Sequence, residues 1–105
     1  MRGAPGKERE MQFLTISRRR VDRFSDAEFA PHIPAERERV RELYRDGILR
    51  SIWTRTDVPG AVMLLEAADE SQARAAVDSL PLAQRDMLDV TFVPLSPYPA
   101  FFPIT

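Results

Sequence analysis

Asp46-Gly47-Ile48-Leu49-Arg50-Ser51-Ile52-Trp53-Thr54-Arg55 is the stretch in which a charged helix ends and a strand begins. Gly47 closes the helix, because helices commonly end on one residue at positive φ and glycine adopts that conformation without a Cβ clash. Strand side chains repeat every second residue, so Leu49, Ser51, Trp53 and Arg55 share one face and Ile48, Arg50, Ile52 and Thr54 the other. Each face mixes apolar with polar groups. Such a strand reads as the wall of a small-molecule pocket rather than part of a dry core.

Upstream, the helix is expected from Pro34 to Asp46, with proline at a favourable first-turn position. Ile33, Val40, Leu43 and Tyr44 form a narrow apolar stripe, and the charged residues between them form a solvated face with i,i+3 and i,i+4 pairs. Ser25-Asp26-Ala27-Glu28 has the form of a capping box at an earlier helix start. Pro31 and Pro34 interrupt that helix, since each disfavours helical geometry in the residue before it. Met11 to Ser17 reads as a strand with apolar residues on both faces, which implies that both are covered. Residues 1–10 hold two Gly, one Pro and five charged residues and read as a disordered lead-in without a secretory signal.

Downstream, Asp57-Val58-Pro59-Gly60 has the residues of a type II hairpin turn. Ala61 to Glu66 is a near-continuous apolar run, expected as a buried central strand. Asp69 and Gln72 cap a second helix, Glu70 to about Ser79, which Pro81 stops. Met87 to Leu95 is the last strand. The tail 94–105 contains four prolines with Tyr98, Phe101 and Phe102, and is expected to lie across a neighbouring surface, such as a partner subunit.

At 105 residues the chain is expected to be one domain, residues 11–105 with the Pro-rich tail, and 30% charged residues suit a soluble globular protein. Fifteen basic residues against 16 acidic argue against nucleic acid as the main partner. No apolar run approaches the roughly 20 residues that span a bilayer, so no membrane partner is expected. The lack of cysteine removes thiolate and disulfide chemistry and makes the cytoplasm the default location. His32 is the single histidine and has no carboxylate pair at metal-ligand spacing, so no metal site is expected. Arg18-Arg19-Arg20 reads as a solvated strand end or as a cluster that steers an anionic substrate.

Strand, helix, strand, strand, helix, strand is the split βαβ order of an α+β, ferredoxin-like domain: a four-stranded antiparallel sheet with both helices on one face. The other face is also apolar and needs a cover, for which a second copy is the simplest candidate.

Leu43-x-x-x-Gly47-x-x-Arg50-x-x-Trp53-x-Arg55, then Leu80-Pro81-Leu82, then Val93-Pro94-Leu95, resembles the muconolactone isomerase-like branch of the dimeric α+β-barrel superfamily. The resemblance runs from about Met11 to Tyr98. It implies a ferredoxin-like protomer, pairing through sheets as a homodimer or higher oligomer, and a pocket near the subunit junction. It also implies an enzyme that shifts a double bond by proton transfer in a small carboxylated lactone, with no cofactor. Leu82 is followed here by Ala83-Gln84-Arg85-Asp86-Met87, where the isomerases carry an aromatic Phe-Pro-Tyr-Met segment. Cofactor-free monooxygenases, YCII-related proteins and non-catalytic binding modules are the alternatives.

Such an isomerisation needs a base, an acid and a cation or donor for the substrate carboxylate. His32 and Glu36, one helical turn apart, form a candidate base and orienter, or else a surface pair that complements the helix dipole. Tyr44 is a candidate proton donor or a packing residue. Arg50 is the candidate carboxylate anchor, with Trp53 and Arg55 as further substrate-binding candidates. The structural alternatives are an ion pair of Arg50 with Asp89 or Glu66, and core or dimer packing for Trp53.

Overall fold

A computed structural model describes residues 11–101. The lead-in 1–10, together with Phe102 and the last residues of the tail, lies outside the described residues. Strand β1 is Met11–Arg19, helix α1 Asp26–Phe29 and helix α2 Ile33–Arg45, with a 3-10 turn Ala30–His32 joining the helices. Strands β2, Leu49–Thr54, and β3, Ala61–Ala67, follow, then helix α3, Glu70–Asp78. Helix α4, Pro81–Gln84, and strand β4, Leu88–Leu95, complete the core, and the tail carries a 3-10 turn at Pro99–Phe101. The sheet order is β2-β3-β1-β4 with every neighbouring pair antiparallel, the ferredoxin-like α+β arrangement that the element order implies.

Local chemistry accounts for most boundaries. Ser25 Oγ accepts the Glu28 N–H while the Ser25 N–H donates to the Glu28 carboxylate at 2.8 Å, so the capping box forms in full. The prolines do not break the chain away from helical geometry. Pro31 and Pro34 occupy first-turn positions of the 3-10 turn and of α2, where a missing N–H costs nothing. Gly47 closes α2 at φ 81°.

Phe13, Leu43, Leu49, Leu65 and Val77 form the main core between the sheet and the helices, and Phe29, Leu82 and Met87 form a second cluster at one end. Burial of these side chains drives the helices onto one face only, at roughly 25 cal/mol per Å² of apolar surface. The opposite face carries Leu14, Ile16, Val62, Leu64 and Val93, all partly exposed, with Trp53 54% exposed.

Three expectations need correction. Alternation along the central stretch fails at Arg50, where a β-bulge sets Leu49 opposite Leu65 but Ser51 opposite Leu64. Leu49, Ile52 and Thr54 therefore face the helices, and Ser51 and Trp53 the open side. Gly60 does not sit at positive φ, so the hairpin is not the type II turn its residues suggest. Glycine is needed there because a Cβ would run into the carbonyl oxygen of Ser17 on β1. Pro81, expected only to stop a helix, instead opens α4 at its first position.

Candidate active site

β1 places Thr15, Ser17 and Arg19 on the helix-side face, because odd-numbered residues there continue from the core residue Phe13. α2 crosses above them, and its pitch turns Glu36, Arg37, Val40 and Arg41 down toward the same space. Between them lies a pocket of about 550 Å³, walled by Ile52, Met63, Leu80, Leu82 and Val90 and closed at one end by Pro59 and Gly60. This is the usual volume and composition of a small-molecule site, apolar walls with a few convergent polar groups.

Glu36 is the one carboxylate side chain on the pocket lining. Its carboxylate accepts the Leu82 N–H at 2.9 Å. That N–H is free because Pro81 starts α4, and the first N–H groups of a helix have no partner within it. Burial pushes the Glu36 carboxyl above the ordinary carboxylate value, while the Leu82 N–H and the positive charge of Arg19 hold it partly down. A carboxyl so placed exchanges a proton at higher pH than a free one, as a general base or acid requires.

The arginine run divides. Arg20 pairs with Asp89 at 2.8 Å and Asp86 at 2.7 Å, and Arg18 pairs with Asp89 at 3.2 Å. Arg19 turns the other way, lining the pocket with its guanidinium 5.6 Å from the Phe29 ring. Arg19 and Arg37 have no ion-pair partner among the described residues, and both line the pocket. Arg41, also on the lining, is paired with Glu38 at 3.0 Å. Ser17 is engaged too, its hydroxyl bridging the N–H and carbonyl of Ala61 at 3.2 Å each.

Of the candidates named from sequence, Glu36 lines this pocket and the other five do not. His32 is the half-buried N-cap of α2 and makes no side-chain capping bond, so Glu36 has Leu82 rather than His32 as its partner. Tyr44 is 64% exposed beside a shallow apolar groove. Arg50 pairs with Glu66 at 3.4 Å, and Gln12 donates to the same carboxylate at 3.0 Å on the open side of the sheet. Trp53 lies on that open side as well. Arg55 pairs with Asp57 at 2.7 Å, which holds the Asp57 carboxyl down to about 2, and donates to the Ser17 carbonyl at 3.2 Å. The sequence reading does not single out Arg37 or Thr15, and it names Arg19 only as part of the Arg18-Arg19-Arg20 cluster. A signal for Arg19 existed, since continuing the alternation of β1 by one step sets it apart from Arg18 and Arg20.

The model of the muconolactone delta-isomerase family matches residues 11–100. The chain belongs to that family. Its fold agrees with a solved muconolactone isomerase, determined at 3.3 Å resolution, at a TM-score of 0.73 and 18% identity over 90% of this chain and 98% of that one. At that identity the likeness speaks for the fold alone. No curated protein sequence matches. No described helix is long and apolar enough to cross a membrane, and no group of three or more metal-ligating side chains occurs among the described residues.

Proposed function

We propose that this muconolactone delta-isomerase family member moves a double bond in a small carboxylated lactone or related ring acid by proton transfer. The observation that carries the reading is a half-buried carboxyl, Glu36, facing an apolar pocket that is also lined by Arg19 and Arg37, neither of them in an ion pair among the described residues. The arginines attract the substrate carboxylate into the pocket. Ionised Glu36 takes a proton from the saturated ring carbon at the far end of the conjugated C=C–C=O system, and the electron pair of the broken C–H bond delocalises through the double bond onto the carbonyl oxygen as a dienolate. The Glu36 carboxylic acid then returns the proton at the carbon adjacent to the carbonyl, leaving the double bond one position further along the ring, so atoms and charge balance without an external reactant.

Family membership and the partly exposed apolar side of the sheet support a homodimer in which two such faces meet. Light scattering at micromolar concentration is expected to give twice the chain mass. Leu64→Glu, which puts a charge at the centre of that face, is expected to give the single-chain mass with the pocket intact.

The reaction is tested by following muconolactone in the ultraviolet, and solvent deuterium entry at the carbon adjacent to the carbonyl by NMR, with the wild type and Glu36→Gln. Turnover and exchange in the wild type, both lost in a folded Glu36→Gln, support the assignment. Exchange undiminished in Glu36→Gln removes Glu36 as the base. Saturable binding of the acid without exchange in the wild type favours a non-catalytic binding module.

A further inference from the structure

Thr15 sits at the centre of the sheet, opposite Met63 on one side and Phe92 on the other, and is fully buried at the floor of the pocket. Its hydroxyl is the one buried side-chain polar atom without a hydrogen-bond partner among the described residues. The cause is local. Strand carbonyls around it are engaged in the ladder, and its pocket neighbours Val40, Met63 and Leu82 are apolar. Ser17, two residues on, shows the contrast, for the irregular approach of Gly60 and Ala61 leaves backbone groups for its hydroxyl to reach. Valine has the same shape as threonine and would fill the Thr15 position without stranding a polar atom.

We propose that Thr15 is a specificity-determining residue whose hydroxyl donates to a non-carboxylate oxygen of the bound ring acid, a lactone or ketone carbonyl, deep in the pocket. This rests on the reading of the pocket as a site for a small carboxylated ring. Rotation about χ1 carries the hydroxyl between staggered positions without moving the strand. The ligand is then held at two ends, its carboxylate by the guanidinium groups at the mouth and its second oxygen by Thr15 at the floor. A site built to bond an oxygen rejects the analogue that lacks it more sharply than an apolar pocket separates two similar shapes.

The test compares two probes, 5-oxotetrahydrofuran-2-acetate and cyclopentylacetate, by calorimetric titration against the wild type, Thr15→Val, Thr15→Ser and Glu36→Gln. The wild type and Thr15→Ser are expected to prefer the lactone at least tenfold. Thr15→Val is expected to bind the two within about twofold, with a melting temperature equal to or above that of the wild type. An undiminished preference in Thr15→Val, no preference in the wild type, or no binding of either acid overturns the proposal. So does a lower melting temperature in Thr15→Val, which would show the hydroxyl serving the fold. Glu36→Gln separates the two readings: its deuterium exchange tests the proton transfer, and its preference for the lactone tests Thr15 independently of turnover.

Discussion

The two faces of the sheet hold polar groups under different conditions. On the helix side, beneath α2, Thr15 and Arg19 line a pocket shared with Glu36, and two guanidinium groups there lack carboxylate partners. On the open side Arg50, Glu66 and Gln12 satisfy one another in a partly hydrated cluster, surrounded by Leu14, Ile16, Val62 and Leu64. Charges that are paired and wet contribute little in any direction. Arg19 and Arg37, which share the pocket with Glu36 and its apolar walls, are committed to no ion pair among the described residues.

The sharpest way to break the comparison is to remove one charge from each face. Glu36→Gln is expected to lower turnover of a ring acid by about 10²–10⁴-fold, the usual contribution of a positioned proton-transfer group. Arg50→Gln is expected to leave turnover within a factor of two and to cost under about 0.5 kcal/mol in a urea melt. Equal losses in the two variants would erase the distinction between the faces.

Gly60→Ala acts on the end of the pocket rather than its chemistry. The new Cβ must push the hairpin off the Ser17 carbonyl, and a destabilisation of about 1–3 kcal/mol is expected, read from the urea midpoint at unchanged slope. Arg19→Met should then weaken carboxylate binding about tenfold, or about 1.4 kcal/mol, while Arg20→Met, whose guanidinium is committed to Asp86 and Asp89, leaves binding unchanged. Calorimetric titration checks both.

The smallest effect is in the pH dependence. The folded protein retains the Glu36 proton to higher pH than the unfolded chain does, because burial raises its affinity for that proton. Between the ordinary value of 4.5 and the raised one, the folded state binds more protons, so stability falls as pH rises through that window. Asp57, held down to about 2 by Arg55, has the opposite sign and loses its contribution only as pH falls from 3.8 through about 2. Subtracting the Glu36→Gln profile from the wild-type profile isolates the Glu36 component, and its sign should be a decline with rising pH. In catalysis the direction reverses, since the base is the ionised form and kcat/KM should rise with pH through the same raised value.

How far a residue could be read from sequence depended on the range of the interactions that place it. The capping box at Ser25, the left-handed glycine at 47 and the strand–helix order are set by neighbours within a few positions, and they formed as written. The order of elements and the two-sided apolar pattern were enough for the ferredoxin-like topology, because antiparallel strands and amphipathic helices have few ways to bury their apolar faces together. The site was less legible. Arg50, Trp53 and Glu36 carry equal chemical promise in one dimension. A one-residue bulge at Arg50 placed Trp53 on the open side, where a cation and an acid already meet.

The chain's local pattern therefore determined that this would be an α+β domain with a helix over a four-stranded sheet, and that Glu36 would stand in the first turn of that helix. Tertiary packing decided what Glu36 would face. The Leu82 N–H, 46 residues away in sequence, bonds to it, and the charge of Arg19 and the stranded hydroxyl of Thr15 share its cavity, only because α4 and β1 close on the same space. Hydrogen bonding and desolvation act over a few ångströms of space, whatever the separation along the chain, and for that reason a pocket is assembled by the fold and not by any segment of it.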